Sequence, residues 1–98
     1  MSDLIARIAD RYAPRRIVLF GSHARGEANA DSDVDLLVVM DTELRPLRQA
    51  MEISRDIRRE VPADFFVRTP DQVEQPDPRD VMLRIMLEEG VTVYEAKH

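Results

Sequence analysis

Short apolar stretches, bounded by polar residues, glycine or proline, divide the chain into predicted strands. Residues 17–20 form an apolar run that ends at a glycine, and residues 34–40 form the most apolar stretch, so both predict buried strands. Shorter, largely apolar stretches at 63–67 and 91–94 predict two further strands. The pattern therefore predicts four strands, with the one at 34–40 in the centre of the sheet.

Other parts of the chain repeat their apolar residues at the three-to-four-residue interval of an amphipathic helix. The predicted helices cover residues 3–12, 22–26 (a single turn), 43–60 and 81–89. Pro46 is tolerated because it would lie in the first turn of its helix. The buried stripe of the helix over 43–60 is expected to consist of Leu47, Ala50, Met51, Ile57 and Val61.

The last third of the chain combines a proline-rich segment with one more helix. Residues 69–80 contain three prolines, so we expect mostly loop there. Asp80 is expected to cap the helix over 81–89, and Gly90 to end it. This helix is apolar on more than one face. We interpret it as a core helix in preference to a partner-binding surface, which is the alternative. Its apolar residues are Val81, Met82, Leu83, Ile85, Met86 and Leu87.

The lengths of the connections between predicted strands indicate the sheet topology. Residues 21–33 are too few for a full crossover helix, so we expect the first two strands to be antiparallel. A full helix separates the second strand from the third, which allows these two strands to run parallel. These connections predict an α+β (mixed α/β) fold, in which a mixed four-stranded sheet is flanked by helices.

The composition is that of an ordinary globular protein of 98 residues, which corresponds to one domain. The net charge of −5 argues against a general nucleic-acid-binding protein, because such proteins need a basic surface. The absence of cysteine excludes disulfides and thiolate metal sites. No signal segment and no stretch of about 20 apolar residues is visible. We therefore expect residues 1–98 to form a single domain of a soluble, cytoplasmic protein.

A glycine and a serine that suit phosphate binding follow the strand at 17–20. Gly21 lets a backbone amide approach a phosphate without an obstructing side chain, and Ser22 can open a short helix whose amides attract an anion. By itself, Gly-Ser after a strand is usually only a turn. Arg25 is a further candidate for a phosphate contact, with pairing to a nearby acid as the alternative. His23 is expected to lie on the helix surface without a metal role.

Ten residues separate Ser22 from two closely spaced acids, Asp33 and Asp35. Residues two apart on a strand point to the same side, so we expect the two carboxylates to lie together. Their repulsion and their oxygen donors favour a hard cation such as Mg²⁺, which can bridge the phosphates of a nucleoside triphosphate. An isolated Asp-x-Asp is a weak signal, but in combination with Gly-Ser at this spacing it is a strong one.

Asp64 is the best candidate for a third carboxylate in a two-magnesium site. It lies at the start of the strand at 63–67 among apolar residues, where an unpaired acid would be costly. If that strand lies beside the one at 34–40, Asp64 faces the Asp33–Asp35 pair. It is then a metal ligand and also a candidate general base for an incoming hydroxyl. The alternative for such a residue is an ordinary cap or turn.

Residues 21–39 have the sequence GSHARGEANADSDVDLLVV, which resembles the signature of the polymerase-beta-like nucleotidyltransferase superfamily. The likeness is closest to its minimal nucleotidyltransferase (MNT) branch, to which the ending from Glu88 to Glu95 is also similar. The resemblance implies a polymerase-beta-like fold, transfer of a nucleotidyl group with two Mg²⁺ ions, and triphosphate contacts at Gly21 and Ser22. The metal ligands that it implies are Asp33, Asp35 and Asp64.

Members of the MNT branch are commonly antitoxins paired with a HEPN-domain ribonuclease toxin. The resemblance thus implies that the chain transfers AMP from ATP to a tyrosine of such a toxin and neutralises it. Two alternatives stay open. One is a binding antitoxin that neutralises its partner by covering it, and the other is a small-molecule nucleotidyltransferase like those that modify aminoglycosides. The latter needs extra structure to hold its acceptor, for which 98 residues leave little room.

Overall fold

The computed structural model of the chain describes residues 2–29, 31–57 and 62–97. Helices and strands alternate along most of this length, in the order that the sequence predicts except for one additional short helix. The elements are α1 (Ser2–Tyr12), β1 (Arg16–Phe20), α2 (Ser22–Arg25), β2 (Val34–Val39), α3 (Pro46–Asp56), β3 (Ala63–Arg68), α4 (Pro70–Glu74), α5 (Val81–Glu89) and β4 (Val91–Glu95).

The four strands form one mixed sheet in the order β3-β2-β1-β4. Strand β1 is antiparallel to both β2 and β4, and β2 is parallel to β3. The predicted strand directions are therefore confirmed, because the short connection after β1 returns the chain antiparallel and the longer one through α3 allows a parallel neighbour. The α+β fold class, a mixed four-stranded sheet flanked by helices, is confirmed as well.

Helices pack on both faces of this sheet and bury a core on each. On β2, Val34, Leu36 and Val38 contribute to the core with α1 and α3, which we call the α1/α3 face. Leu37 and Val39 contribute to the core with α5, on what we call the α5 face. Burial on both faces explains the continuous apolar run of this strand.

Helix α3 is shorter than the predicted helix over 43–60. It begins at Pro46, whose missing N–H costs nothing at the first helical position, and it ends at Asp56. Residues 58–61, and with them the predicted buried position Val61, lie outside the described residues.

The predicted burial of Leu47 and Met51 on α3 is wrong, since these side chains are 76% and 58% exposed. The helix turns by about 100° per residue, so burial of one stripe leaves neighbouring flanks in solvent. The stripe of α3 that packs on β3 is different from the predicted one. Its buried residues are Gln49, Ala50 and Ile53, and Ile57 is buried just after the helix. Of the predicted stripe, only the burial of Ala50 on α3 and of Ile57 just after it is therefore confirmed.

Residues 69–80 are mostly loop, as expected, but Pro70–Glu74 form the short helix α4, which the sequence pattern does not predict. Thr69 caps it reciprocally with Gln72: the Thr69 hydroxyl accepts from the Gln72 N–H at 3.3 Å, and the Thr69 N–H donates to the Gln72 side chain at 2.8 Å. Pro70 occupies the first helical position. A proline that the prediction took as a helix breaker therefore starts a helix.

Helix α5 begins and ends as predicted. The carboxylate of Asp80 accepts from the Leu83 N–H at 3.1 Å, and it also accepts two hydrogen bonds from Arg68 of β3 at 2.8 and 3.1 Å. At the other end, a Cβ on Gly90 would overlap the Val18 side chain, so glycine allows β1 and the end of α5 to approach closely. No helix within the described residues is both long and apolar enough to span a membrane.

The apolar residues of α5 divide between core and surface. Leu83 and Met86 are fully buried on the α5 face of the sheet. Val81, Met82 and Ile85 are 48%, 37% and 39% exposed. The slightly favoured interpretation as a core helix therefore describes one side of α5, and the opposite flank presents apolar residues to solvent.

Candidate functional site

Asp35 and Asp64 lie side by side at the start of the parallel strands β2 and β3. Their Cα atoms are partners in the strand register, one step after the pair Val34 and Ala63. Because Val34 and Ala63 belong to the core of the α1/α3 face, side-chain alternation directs both aspartates to the α5 face. Asp35 is half-buried and Asp64 is exposed, so Asp64 avoids the cost of burial expected from its apolar neighbours.

Asp33 lies one residue before β2 and is exposed. Burial of Asp35 raises the pKa of its carboxyl, and the negative charges of Asp64 and Asp33 raise it further. The nearby His23 and Arg25 act in the opposite direction. Asp35 is therefore within electrostatic reach of both other predicted metal ligands and of two basic side chains of α2.

The donor set suits a hard cation, since carboxylate oxygens are the ligands that Mg²⁺ prefers, and a cation would relieve the repulsion at Asp35. Across residues 2–29, 31–57 and 62–97, however, no three acidic or histidine side chains are arranged so that they could hold a metal ion. The structure thus brings Asp35 and Asp64 together with Asp33 nearby, but it does not join the three carboxylates in one ligand shell.

Gly21 connects β1 to α2 directly beside Asp35. A Cβ at this position would overlap Oδ2 of the Asp35 carboxylate, and the residue has φ +76° and ψ −155°, a region that is essentially restricted to glycine. Its carbonyl accepts from the N–H groups of Ala24 and Arg25, both at 3.1 Å. Glycine therefore allows both the sharp start of α2 and the close approach of the backbone to the acid.

Ser22 and Arg25 are the first and last residues of α2, so both lie beside the glycine turn. The Arg25 side chain is 45% exposed and forms ion pairs with Glu27 at 3.3 Å and with Glu89 of α5 at 3.5 Å. Such exposed pairs contribute little free energy. Arg25 also acts electrostatically on Asp35, so the structure places it next to the predicted site while pairing it with acids.

His23 has a contact that the sequence does not reveal. Its half-buried ring places Nε2 3.2 Å from the carbonyl oxygen of Ser32, the residue immediately before Asp33. The sequence predicts His23 on the helix surface, and the structure places it on α2 in a half-buried position. No spacing rule links a residue of a short helix to a loop nine positions later, so only the folded backbone could show this contact.

Comparisons with known proteins show the family to which the chain belongs. A family model described as a nucleotidyltransferase domain matches residues 1–93. The protein adenylyltransferase MntA of Thermococcus cleftensis is 55% identical over 31 residues, 32% of this chain and 31% of that protein. A protein of Methanocaldococcus jannaschii assigned as a protein adenylyltransferase is 47% identical over 34 residues, 35% of this chain and 34% of that protein. The matched segments thus span about a third of each relative.

Two solved structures share the fold over almost the whole chain. A protein of Sulfolobus solfataricus assigned as a nucleotidyltransferase has a TM-score of 0.65 at 22% identity, covering 95% of this chain and 75% of that one. A toxin–antitoxin structure with AMP-PNP has a TM-score of 0.63 at 17% identity, covering 97% of this chain and 73% of that one. At this identity the likeness bears on the fold alone, and it confirms the fold expected from the sequence.

Proposed function

The chain belongs to the nucleotidyltransferase domain family, and we propose that it is an antitoxin that transfers AMP from ATP to a tyrosine of a HEPN-domain ribonuclease toxin. We also propose that residues 1–98 act as one nucleotidyltransferase domain. The single observation that carries the catalytic part is the register pairing of Asp35 with Asp64, with Asp33 two residues before Asp35.

Asp33, Asp35 and Asp64 are the residues that would hold two Mg²⁺ ions, which supply positive charge for the triphosphate and the leaving pyrophosphate. Asp64 is exposed, and β3 pairs only with β2 among the described strands, so its carboxylate is open to an incoming acceptor. In this position Asp64 also accepts the proton of the acceptor hydroxyl as general base.

The turn from β1 to α2 would hold the phosphates of ATP. Gly21 presents backbone without a side chain there, and the Ser22 hydroxyl is a hydrogen-bond donor. Arg25 would leave its exposed partners Glu27 and Glu89 for the triphosphate, because a phosphate accepts charge-assisted hydrogen bonds from a guanidinium.

The protein acceptor is supported by what is known of similar proteins. Two relatives bear the name of protein adenylyltransferases, and one structural neighbour is a toxin–antitoxin assembly with a nucleotide analogue. The net charge of −5 is compatible with docking on a basic ribonuclease surface. The HEPN toxin and its tyrosine come from the resemblance of residues 21–39 to the MNT branch.

A second candidate function is neutralisation by covering the partner. The exposed apolar flank of α5, with Val81, Met82 and Ile85, favours it, since such flanks are typical of protein contacts. The two mechanisms differ in stoichiometry, because one enzyme molecule modifies many partner molecules, whereas a binding antitoxin neutralises only the partner molecule to which it is bound.

The test is a titration of the proposed HEPN-domain ribonuclease partner with this chain, in the presence of ATP and Mg²⁺. We expect loss of ribonuclease activity at far less than one chain per toxin, and no such loss without ATP. Asp33→Asn should abolish the effect, whereas Asp31→Asn, the same change in an exposed loop residue, should preserve it. Neutralisation that needs one chain per toxin and no ATP would support the covering mechanism instead.

A further inference from the structure

The contact between His23 and Ser32 joins two separate parts of the proposed site. His23 is the second residue of α2, next to Ser22, and Ser32 directly precedes Asp33. Because Nε2 lies 3.2 Å from a carbonyl oxygen, which can only accept, the ring donates an Nε2–H to it. The histidine thus ties the phosphate-side helix to the backbone that carries Asp33.

The loop before Asp33 is a small unit with its own hydrogen bonds. The Asn29 side chain accepts from the Asp31 N–H at 2.8 Å, and the Ser32 hydroxyl accepts from the Asn29 N–H at 2.9 Å. The Ser32 N–H also donates to the Asn29 carbonyl at 3.1 Å. These bonds hold the turn together but do not fix its place relative to α2.

On its other side, Asp33 is followed by a residue that is fixed to the sheet. The Val34 N–H donates to the Pro62 carbonyl at 2.9 Å, which continues the β2–β3 pairing. Asp33 itself is exposed and lies between this anchor and the turn. A bond from α2 to Ser32 therefore acts on the position of the Asp33 backbone from the side that the sheet does not restrain.

We infer that His23 is a positioning residue, which holds Asp33 in place for metal binding through the hydrogen bond to Ser32. The inference rests on the proposed function, in which Asp33 is a metal ligand. Partners that orient metal ligands typically contribute about 10–100-fold in metal affinity or activity. Since His23 acts on the backbone beside the ligand, we expect the low end, about tenfold.

Three variants separate the hydrogen bond from the bulk of the ring. In His23→Gln the amide nitrogen can take the position of Nε2 and donate to Ser32. In His23→Asn the same amide is one methylene shorter and does not reach. His23→Phe keeps a ring of similar size without a donor. The glutamine and asparagine variants are thus matched in chemistry and differ in reach.

The experiment is a titration of the whole chain with Mn²⁺ as a probe, in which electron paramagnetic resonance counts the unbound ion. Thermal unfolding of each variant is measured alongside. We expect His23→Phe and His23→Asn to weaken Mn²⁺ binding about tenfold, and His23→Gln to remain close to wild type. Transfer assays should show the same order, with a higher Mg²⁺ requirement and little change of kcat at saturating Mg²⁺.

Three results would overturn the role of His23, and they fall into two kinds of failure. If all three variants bind Mn²⁺ like the wild type, or if all three are weakened equally, His23 does not act through Ser32. If instead the wild type binds Mn²⁺ no better than Asp33→Asn does, the metal site itself is refuted, and the role of His23 with it. The two failures are therefore distinguishable in one titration series.

Discussion

Asp35 and Asp64 are register partners on parallel strands, and both point to the α5 face of the sheet. Parallel pairing requires a long crossover, so the chain brings these acids together only by passing through α3. The next partners on the same face are the apolar Leu37 and Phe66. The two carboxylates thus mark the point where the apolar α5 face ends and the proposed site begins.

Asp64→Asn tests the proposed third metal ligand, whose side chain is exposed, so that its replacement should not affect folding. We expect the rate of transfer to fall by at least about 100-fold. Loss of a metal ligand should reduce activity at least as much as loss of a residue that only orients a ligand. The measurement is the initial rate of AMP transfer. Asp71→Asn, the same change in an exposed acid of α4, is the control and should transfer normally.

Gly21→Ala should impair both folding and function. Its φ and ψ cost a non-glycine residue about 1–3 kcal/mol, and the new Cβ would push the Asp35 carboxylate aside. Gly26→Ala is a matched control, because Gly26 also has a positive φ, +73°, but nothing lies within 4 Å of an added Cβ. Urea unfolding should show both variants to be destabilised, whereas only Gly21→Ala should lose transfer at temperatures where both are folded.

Arg25→Ala should raise the KM for ATP about tenfold, as expected for the loss of a charge-assisted hydrogen bond. Thermal stability should change little, because the pairs with Glu27 and Glu89 are exposed. Steady-state kinetics at varied ATP give the answer. An unchanged KM would mean that Arg25 only pairs with Glu27 and Glu89 and does not bind ATP. The control is Glu27→Gln, which removes one of these ion pairs and leaves the arginine in place.

Asp80→Asn tests the anchor of α5 and should remove a pH-dependent part of the stability of the wild type. The hydrogen bond from Arg68 keeps the pKa of Asp80 below its usual value, despite the opposing effect of burial. The pair therefore stabilises the fold above about pH 4, and its contribution is lost as pH falls through the folded-state pKa. We expect a loss of about 2 kcal/mol at pH 7, shrinking as the pH is lowered.

Urea unfolding of wild type and Asp80→Asn between pH 7 and acidic pH measures this difference. Asp77→Asn is the control, since Asp77 also pairs with an arginine, Arg79 at 2.9 Å, but on the surface where solvent screens the interaction. A constant difference between wild type and Asp80→Asn at every pH would show that ionisation of Asp80 does not contribute to stability.

The sequence predicts the sheet well because the strands and their directions follow from the apolar pattern and from the lengths of the connections. The same strand directions place Asp64 beside Asp35, whereas Asp33 lies one residue before β2 and outside its alternation. Burial of Leu47 and Met51 could not be judged in this way, because packing against β3 selects which stripe of an apolar helix is buried. The contact from His23 to Ser32 depends on the loop backbone, for which no periodicity exists.

The central claim, transfer of AMP to a tyrosine of the toxin, is tested most directly by intact-mass spectrometry of the HEPN-domain ribonuclease proposed as the partner. After incubation with the chain, ATP and Mg²⁺, we predict a mass increase by whole AMP residues, located on tyrosine by fragmentation. The Asp35→Asn variant should give none. An unmodified ribonuclease that is nevertheless neutralised in the same mixture would contradict the account.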